Sequence, residues 1–416
     1  MADLVLQPLT RVEGHGRVEL HLSEGRLQQV RVALIESPRL FEKLVVGRAA
    51  AEVPELVCRI CAICSAVHKL AALTAIERAM AIEVPPAARL VRELLLLGGH
   101  IQSHALHLFC LILPDFSDQA SIFDRLRAGD PLAAAGLELK AFGNRLQEVA
   151  GGRVIHPVNV LLGGVAQCPP VTELAALRRA CDDWREAWPR LAADFAAASR
   201  YPAARPPVGT LLATGGDDRH ALCGEQLFFA DGTVVPVAAY AELLGEERAG
   251  YSRARQAAGR RGPFLVGALA RQQLWQARSG TTAAAPPAGI HANNAAQAAE
   301  IDWALDRVAA LLGELERLPA AAPLRSEPGP PRAGIGTAAF EAPRGLLIHH
   351  YVVDDWGQVA AADIVTPTAI NQLAMERQLF ADLAGLAGDP ALGNCAERIV
   401  RAYDPCISCA VHVMHC

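Results

Sequence analysis

The sequence predicts a mainly α chain of the α+β class, a core bundle of long helices with short β elements at the periphery. Three observations lead there. Helix-period apolar spacing recurs in six long stretches, strict alternation is confined to the N-terminus, and two cysteine pairs sit near opposite ends of 416 residues. If those pairs act together, the chain must fold around one centre, so residues 1–416 are read as a single domain. Composition agrees: 52% hydrophobic and 20% charged residues suit a large packed core and exclude disorder.

Taken in order, Val18, Leu20 and Leu22 alternate with Glu19 and His21. Ser23-Glu24-Gly25-Arg26 then turns the chain into Val30, Val32 and Leu34, a β-hairpin. Helical periodicity covers Ala66 to Ile82, Ala87 to Leu113, Leu137 to Ala150, Val171 to Ala197, Ala295 to Arg317 and Thr368 to Leu386. The Gly-, Pro- and Arg-containing interval 244–289 reads as an exposed, variable excursion, and the prolines at 328–331 mark a turn or linker. No apolar run reaches the roughly 18 residues needed to cross a bilayer; Ala105 to Pro114 is the nearest and is too short. No signal-peptide pattern opens the chain. A net charge of −5 gives no general attraction to nucleic acid or anionic lipid. A cytoplasmic protein with no nucleic-acid partner and no membrane span is the expectation.

Eleven cysteines, an odd number without a secretion signal, argue against a disulfide framework. Cys110, Cys168, Cys181, Cys223 and Cys395 stand alone and read as small buried hydrophobes. The rest cluster in ELVCRICAICSAVH, with Cys58, Cys61 and Cys64, and in DPCISCAVHVMHC, with Cys406, Cys409 and Cys416. Cys61-x-x-Cys64 and Cys406-x-x-Cys409 can bring four thiolates onto one metal site. A structural zinc site usually gathers its ligands locally, whereas residues 65–405 separate these pairs. A thioredoxin-like pair would use only one of them. Spacing alone leaves structural and catalytic metal equally open.

The flanks decide between them. Each pair is followed by a histidine, His68 or His412; the chain opens with Arg11-Val-Glu-Gly-His-Gly16 and carries Glu341-Ala-Pro-Arg-Gly345 late. With RLFEKLVVGR (39–48), GGHIQSHALHLF (98–109), IHPVNVLLGG (155–164), VGALAR (266–271) and IVTPTAINQ (364–372), the sequence resembles the large subunit of [NiFe] hydrogenases over nearly its whole length. It is most similar to the cytoplasmic multimeric group, the heterodisulfide-reductase-linked or F420-non-reducing type. The resemblance implies the hydrogenase large-subunit fold and reversible heterolysis of H2. It also implies a nickel–iron centre whose iron bears carbon monoxide and cyanide.

By that resemblance, Cys61 and Cys406 are terminal nickel ligands and Cys64 and Cys409 bridge nickel to iron. Soft thiolates suit both metals. Arg344 would hang over the centre and reach a cyanide, with Asp404 placed to pair with it, and Thr368 would donate its hydroxyl to the second cyanide. Glu13 would pass protons from the Cys406 thiolate outward. His68 would donate to a bridging sulfur, and Glu42 and His412 would hold a separate magnesium, or iron, near the C-terminus. His100, His104 and His107, at helical spacing, read as core or interface histidines. Iron–sulfur clusters are expected only in a small partner subunit, with further soluble electron-transfer subunits of heterodisulfide-reductase type beyond it.

Three positions depart from the family pattern. Ala62 replaces a frequent glycine, and Ser103 stands where membrane-bound and periplasmic relatives carry Asp. Only Val413 to Cys416 follow His412, a tail expected to stay uncleaved. Two other readings remain: a nickel-free scaffold related to the quinone-site subunit of respiratory complex I, and a zinc-stabilised structural protein.

Overall fold

The computed structural model describes residues 2–36, 40–117, 121–201, 204–215, 221–257, 262–280, 289–327 and 329–410. The N-terminal alternation forms the expected sheet. Strands β1 (Ala2–Leu6), β2 (Gly16–Ser23) and β3 (Arg26–Leu34) pair antiparallel. Val18 faces Val32, Leu20 faces Val30, and all four are buried on one side.

Short helices α1 (Phe41–Val45) and α2 (Val53–Val57) lead into α3 (Ser65–Met80), α4 (Pro86–Ala105), α5 (Ile122–Arg127) and α6 (Pro131–Gly151). Their ends follow local chemistry. Pro86 sits in the first turn of α4, and Asp130 caps α6 by accepting the N–H groups of Leu132 and Ala133. Helices α4 and α6 cross closely because Gly98 meets Gly143: a Cβ on Gly143 would lie 2.5 Å from the Gln102 nitrogen. Beyond Ala105 the helix continues as a π-helical stretch, Leu106–Ile112. The segment Pro86–Phe116 is therefore long and apolar enough to span a membrane by composition, contrary to the sequence reading. It is a core helix instead, since 83% of its apolar window is buried inside the protein.

Next come β4 (Val160–Leu161), β5 (Gly164–Val165) and α7 (Val171–Ala198). A mixed sheet follows from β6 (Thr210–Gly215), β8 (Gln226–Phe229) and β9 (Val234–Pro236), while β7 (Cys223–Gly224) joins another sheet. After α8 (Tyr240–Leu243), strands β10 (Glu246–Arg248) and β11 (Arg255–Ala257) pair as a hairpin. Strand β12 (Phe264–Leu265) adds in parallel to β6 and leads into α9 (Ala268–Ser279). The interval 244–289 is thus exposed only in part: Gly245, Glu247, Arg248 and Gly250 lie open to solvent. Phe264, Leu265, Val266, Leu269 and Arg271 are buried, because this segment completes a sheet and then packs α9 inside.

Helix α10 (Ala292–Glu316) packs on α4 and α7. Strands β13 (Gly334–Ala342), β14 (Gly345–Val353) and β15 (Val359–Val365) then form an antiparallel sheet with β7. The α+β class holds, but this sheet is not peripheral: Ala338 to Ile348 are buried beneath α3. The chain ends its described part with α11 (Pro367–Leu383), α12 (Leu392–Ala402) and α13 (Ile407–Ala410). Of the isolated cysteines, Cys110 and Cys181 are buried as expected, Cys168 and Cys395 are half-buried, and Cys223 is exposed on its edge strand.

Candidate metal centre

Cys61 to Cys64 form the turn between α2 and α3, and Cys406 and Cys409 open α13. The N-terminal segment brings the distant pair home. Glu13 bridges Cys406, its carbonyl accepts the Ile407 N–H at 3.0 Å, and its carboxylate accepts both the Ser408 N–H (3.1 Å) and the Ser408 hydroxyl. Gly14 permits this approach, since a Cβ there would lie 2.8 Å from that of Ile407. All four sulfurs fall within 4.8 Å of one another and are buried. Cys61 Sγ lies 3.3 Å from Cys406 Sγ, Cys64 Sγ 3.9 Å from it, and Cys409 Sγ 2.9 Å from it.

Such a cluster cannot hold four negative charges alone. Hydrogen bonds from Cys406, Cys409 and Cys64 hold the Cys61 thiol well below its usual range, whereas burial pushes Cys406 and Cys409 well above theirs. A cationic centre resolves that conflict. Among the described residues, this is the group of His, Cys, Asp and Glu side chains that gathers a metal-binding set.

Arg344 occupies the two-residue loop between β13 and β14. It donates through Nε to Asp404 Oδ1 at 3.1 Å and points Nη1 at Cys64 Sγ, 3.4 Å away. Its Nη2 is buried with no partner, an aimed donor that calls for an acceptor at the centre. Burial opposes the guanidinium's charge, but Asp404 and the sulfurs of Cys64, Cys406 and Cys61 outweigh it. Burial likewise opposes ionisation of Asp404, yet Arg344, His107 and His104 hold it below the usual carboxylate range. Thr368, in the first turn of α11, accepts the Cys406 N–H at 2.9 Å, which orients its oxygen and leaves its hydroxyl hydrogen to donate.

The remaining expected residues are placed as follows. His68 is buried, with Nδ1 bonded to His349 Nε2 at 3.0 Å, so any role toward a sulfur falls to its Nε2. Glu42 is buried; Oε1 accepts the Ile364 N–H at 2.9 Å, and Oε2 faces Arg255 at 3.8 Å. His412 lies outside the described residues. The three histidines of α4 and its π-helical continuation belong to the core, as read: His104 bonds Glu300, and His107 bonds Gln297 and the Arg401 carbonyl. Sequence reasoning missed Gln297, which donates to Asp404 Oδ2 at 3.2 Å, and Ser408, which clasps Glu13. No motif marked Gln297; Ser408 sat between the two ligands of its own pair and was passed over as a spacer.

Fold and site together define a metalloprotein with a buried four-thiolate centre built from both ends of the chain. The sequence profile of the nickel-dependent hydrogenases matches residues 39–141 and 289–412, and one described as HoxL-like matches residues 3–36. The alpha subunit of sulfhydrogenase 2 from Pyrococcus furiosus is 36% identical, over 98% of either chain. The matching chain of the F420-non-reducing hydrogenase from Methanothermobacter thermautotrophicus is 29% identical, over 100% of this chain and 95% of its own. A solved NAD+-reducing [NiFe]-hydrogenase superposes with a TM-score of 0.86 at 26% identity, covering 99% of this chain and 100% of that one. The chain belongs to the nickel-dependent hydrogenase family, as a large subunit of the [NiFe] type. It is an oxidoreductase acting on H2, and neither the nickel-free nor the zinc-scaffold reading is favoured.

Proposed function

We propose that Cys61 and Cys406 hold nickel terminally and that Cys64 and Cys409 bridge it to an iron bearing carbon monoxide and cyanide. When bound, that centre supplies the site at which H2 is split heterolytically. The single observation that carries the reading is the buried tetrad of sulfurs with Arg344 beside Cys64 and Glu13 clasped next to Cys406. Arg344 Nη2 and the Thr368 hydroxyl are the donors available to two cyanide nitrogens. Asp404 keeps Arg344 aimed and its charge balanced.

Glu13 is half-buried, between the tetrad and the protein surface. Its carboxylate takes the proton released at the Cys406 sulfur and passes it outward, with Ser408 fixing its orientation. Electrons leave to an iron–sulfur small subunit, in keeping with relatives that are alpha subunits. Exposed apolar side chains suit its docking: Ile155 and Val158 flank His156, whose N–H bonds Ser65 next to Cys64, and Trp356 is 82% exposed beside the 46–50 segment. Beyond it we place soluble subunits of heterodisulfide-reductase type and a cytoplasmic setting, which co-purification and cell fractionation test. The magnesium site is less well supplied, because Arg255 already counters Glu42; no step runs through it, and magnesium content of Glu42→Gln protein tests it.

Glu13→Gln is the experiment for the reading as a whole. The amide is nearly isosteric and can keep both bonds to Ser408, but it cannot cycle a proton. Nickel and iron content should stay at wild-type level while H2/D2O exchange falls by about 100-fold or more. Wild-type exchange would assign the proton exit elsewhere.

A further inference from the structure

We propose that Arg271 is the positioning residue for Arg344. It lies wholly buried in the first turn of α9 and spends all five of its N–H donors. Nε and Nη2 form a bidentate pair with Glu300, both at 2.6 Å, and Nη1 meets Glu341 Oε2 at 2.7 Å. The remaining two donors go to backbone: Nη1 to the Ala342 carbonyl at 3.1 Å and Nη2 to the Pro343 carbonyl at 3.4 Å.

Those two carbonyls immediately precede Arg344. Ala342 pairs with Gly345 to close the β13–β14 hairpin, so Pro343 and Arg344 are the whole of its loop. The loop is gripped at a second place as well. Gly267, just before α9, packs on the Arg344 carbonyl, where a Cβ would lie 3.3 Å from the oxygen. Gly345, at φ +131, packs so tightly that its Cβ would come within 2.9 Å of the Gly267 nitrogen. With the backbone pinned at these points, only the side-chain torsions of Arg344 remain to set its guanidinium against Cys64 Sγ. The carboxylates of Arg271 are themselves fixed: Glu300 Oε2 accepts from His104 Nε2 at 2.8 Å, and Glu341 Oε1 accepts the Thr214 N–H at 2.6 Å. The 266–271 motif thereby anchors the loop that carries the arginine over the metals.

The inference rests on the role proposed above for Arg344, and a double-mutant cycle separates the two. Arg271→Lys is made in the holoenzyme, alone and together with Arg344→Lys. A lysine has three donors, so two of the five acceptors go unpaired and the loop loses its register. Misplacement on the order of 1 Å can cost a reaction about 100-fold. Arg271→Lys should therefore retain nickel and iron, shift the infrared cyanide bands, and lower kcat at least about tenfold with KM for H2 changed less than about twofold. In the Arg344→Lys background the same change should cost less than about twofold further. Equal fold-losses in both backgrounds would overturn the positioning role. Wild-type turnover in Arg344→Lys alone would overturn the role of Arg344 instead. Should Arg271→Lys fail to load metal, Glu341→Gln, which keeps shape and weakens the clamp, enters the same cycle with the same criteria.

Discussion

Asp115→Ala should cost about 3 kcal/mol and loosen the approach to the metal centre. The Asp115 carboxylate is buried and receives three guanidinium bonds. Arg401 Nη2 and Arg11 Nη2 reach Oδ1 at 2.8 and 2.5 Å, and Arg401 Nε reaches Oδ2 at 3.2 Å. Removing one partner of a buried pair costs roughly 3–5 kcal/mol. The lower end applies, because Arg401 keeps Glu397 at 3.0 Å and the Thr10 carbonyl at 3.1 Å, while Arg11 is partly open to water. At about 2.1 cal/mol/K per residue, a chain of 416 residues unfolds with an entropy near 0.9 kcal/mol/K, so the thermal midpoint should drop by about 3 °C. Arg11 stands two residues before Glu13, so H2/D2O exchange should fall with the midpoint. Calorimetry of holoenzyme at one scan rate, paired with exchange, checks both. A midpoint shift below about 1 °C would show that Arg401 needs no Asp115, and the reasoning would fail.

Two further outcomes are expected. Burial is the leading cause that pushes His100 down to about 3 and His291 down to about 4. Both stay neutral in the fold while the unfolded chain protonates near 6.5, so their contribution is present above that value and lost as pH falls. Each should remove about 2 kcal/mol between pH 7.5 and pH 5, and His291→Gln should flatten the urea-midpoint profile by that amount; an unchanged profile would refute it. Gly143→Ala forces a Cβ to 2.5 Å from the Gln102 nitrogen and should cost about 3 kcal/mol, whereas Gly99→Ala meets only a flexible Gln147 tip at 3.6 Å and should be neutral or better by denaturant midpoint. Equal effects at the two glycines would contradict the close crossing.

The long helices were legible because their apolar period persists: the expected Ala66 to Ile82 is Ser65–Met80 in the fold, and Val171 to Ala197 is Val171–Ala198. The four sulfurs were legible from paired spacing and flanks. The β13–β15 sheet was not, because strands buried on both faces, such as Gly345–Val353, lose the alternation that betrays a half-exposed strand. Residues 264–275 misled through composition. Glycine and arginine there serve tight packing and a buried clamp, which look in sequence like a solvated loop. Gln297 was invisible because one amide on a helix acquires meaning only when Asp404, 107 positions away, is folded against it.

The span between Cys61 and Cys406, 345 positions, also sets a clock. At roughly 5–20 residues per second of translation, the first pair leaves the ribosome about 17–70 s before the second exists. During that interval the nascent chain carries two thiols without their partners, and no complete nickel site can be present for a wrong metal to fill. Closure must wait until the chain has been made through Cys409. Delivery of the correct ions is therefore timed by the geometry of the chain as much as by affinity.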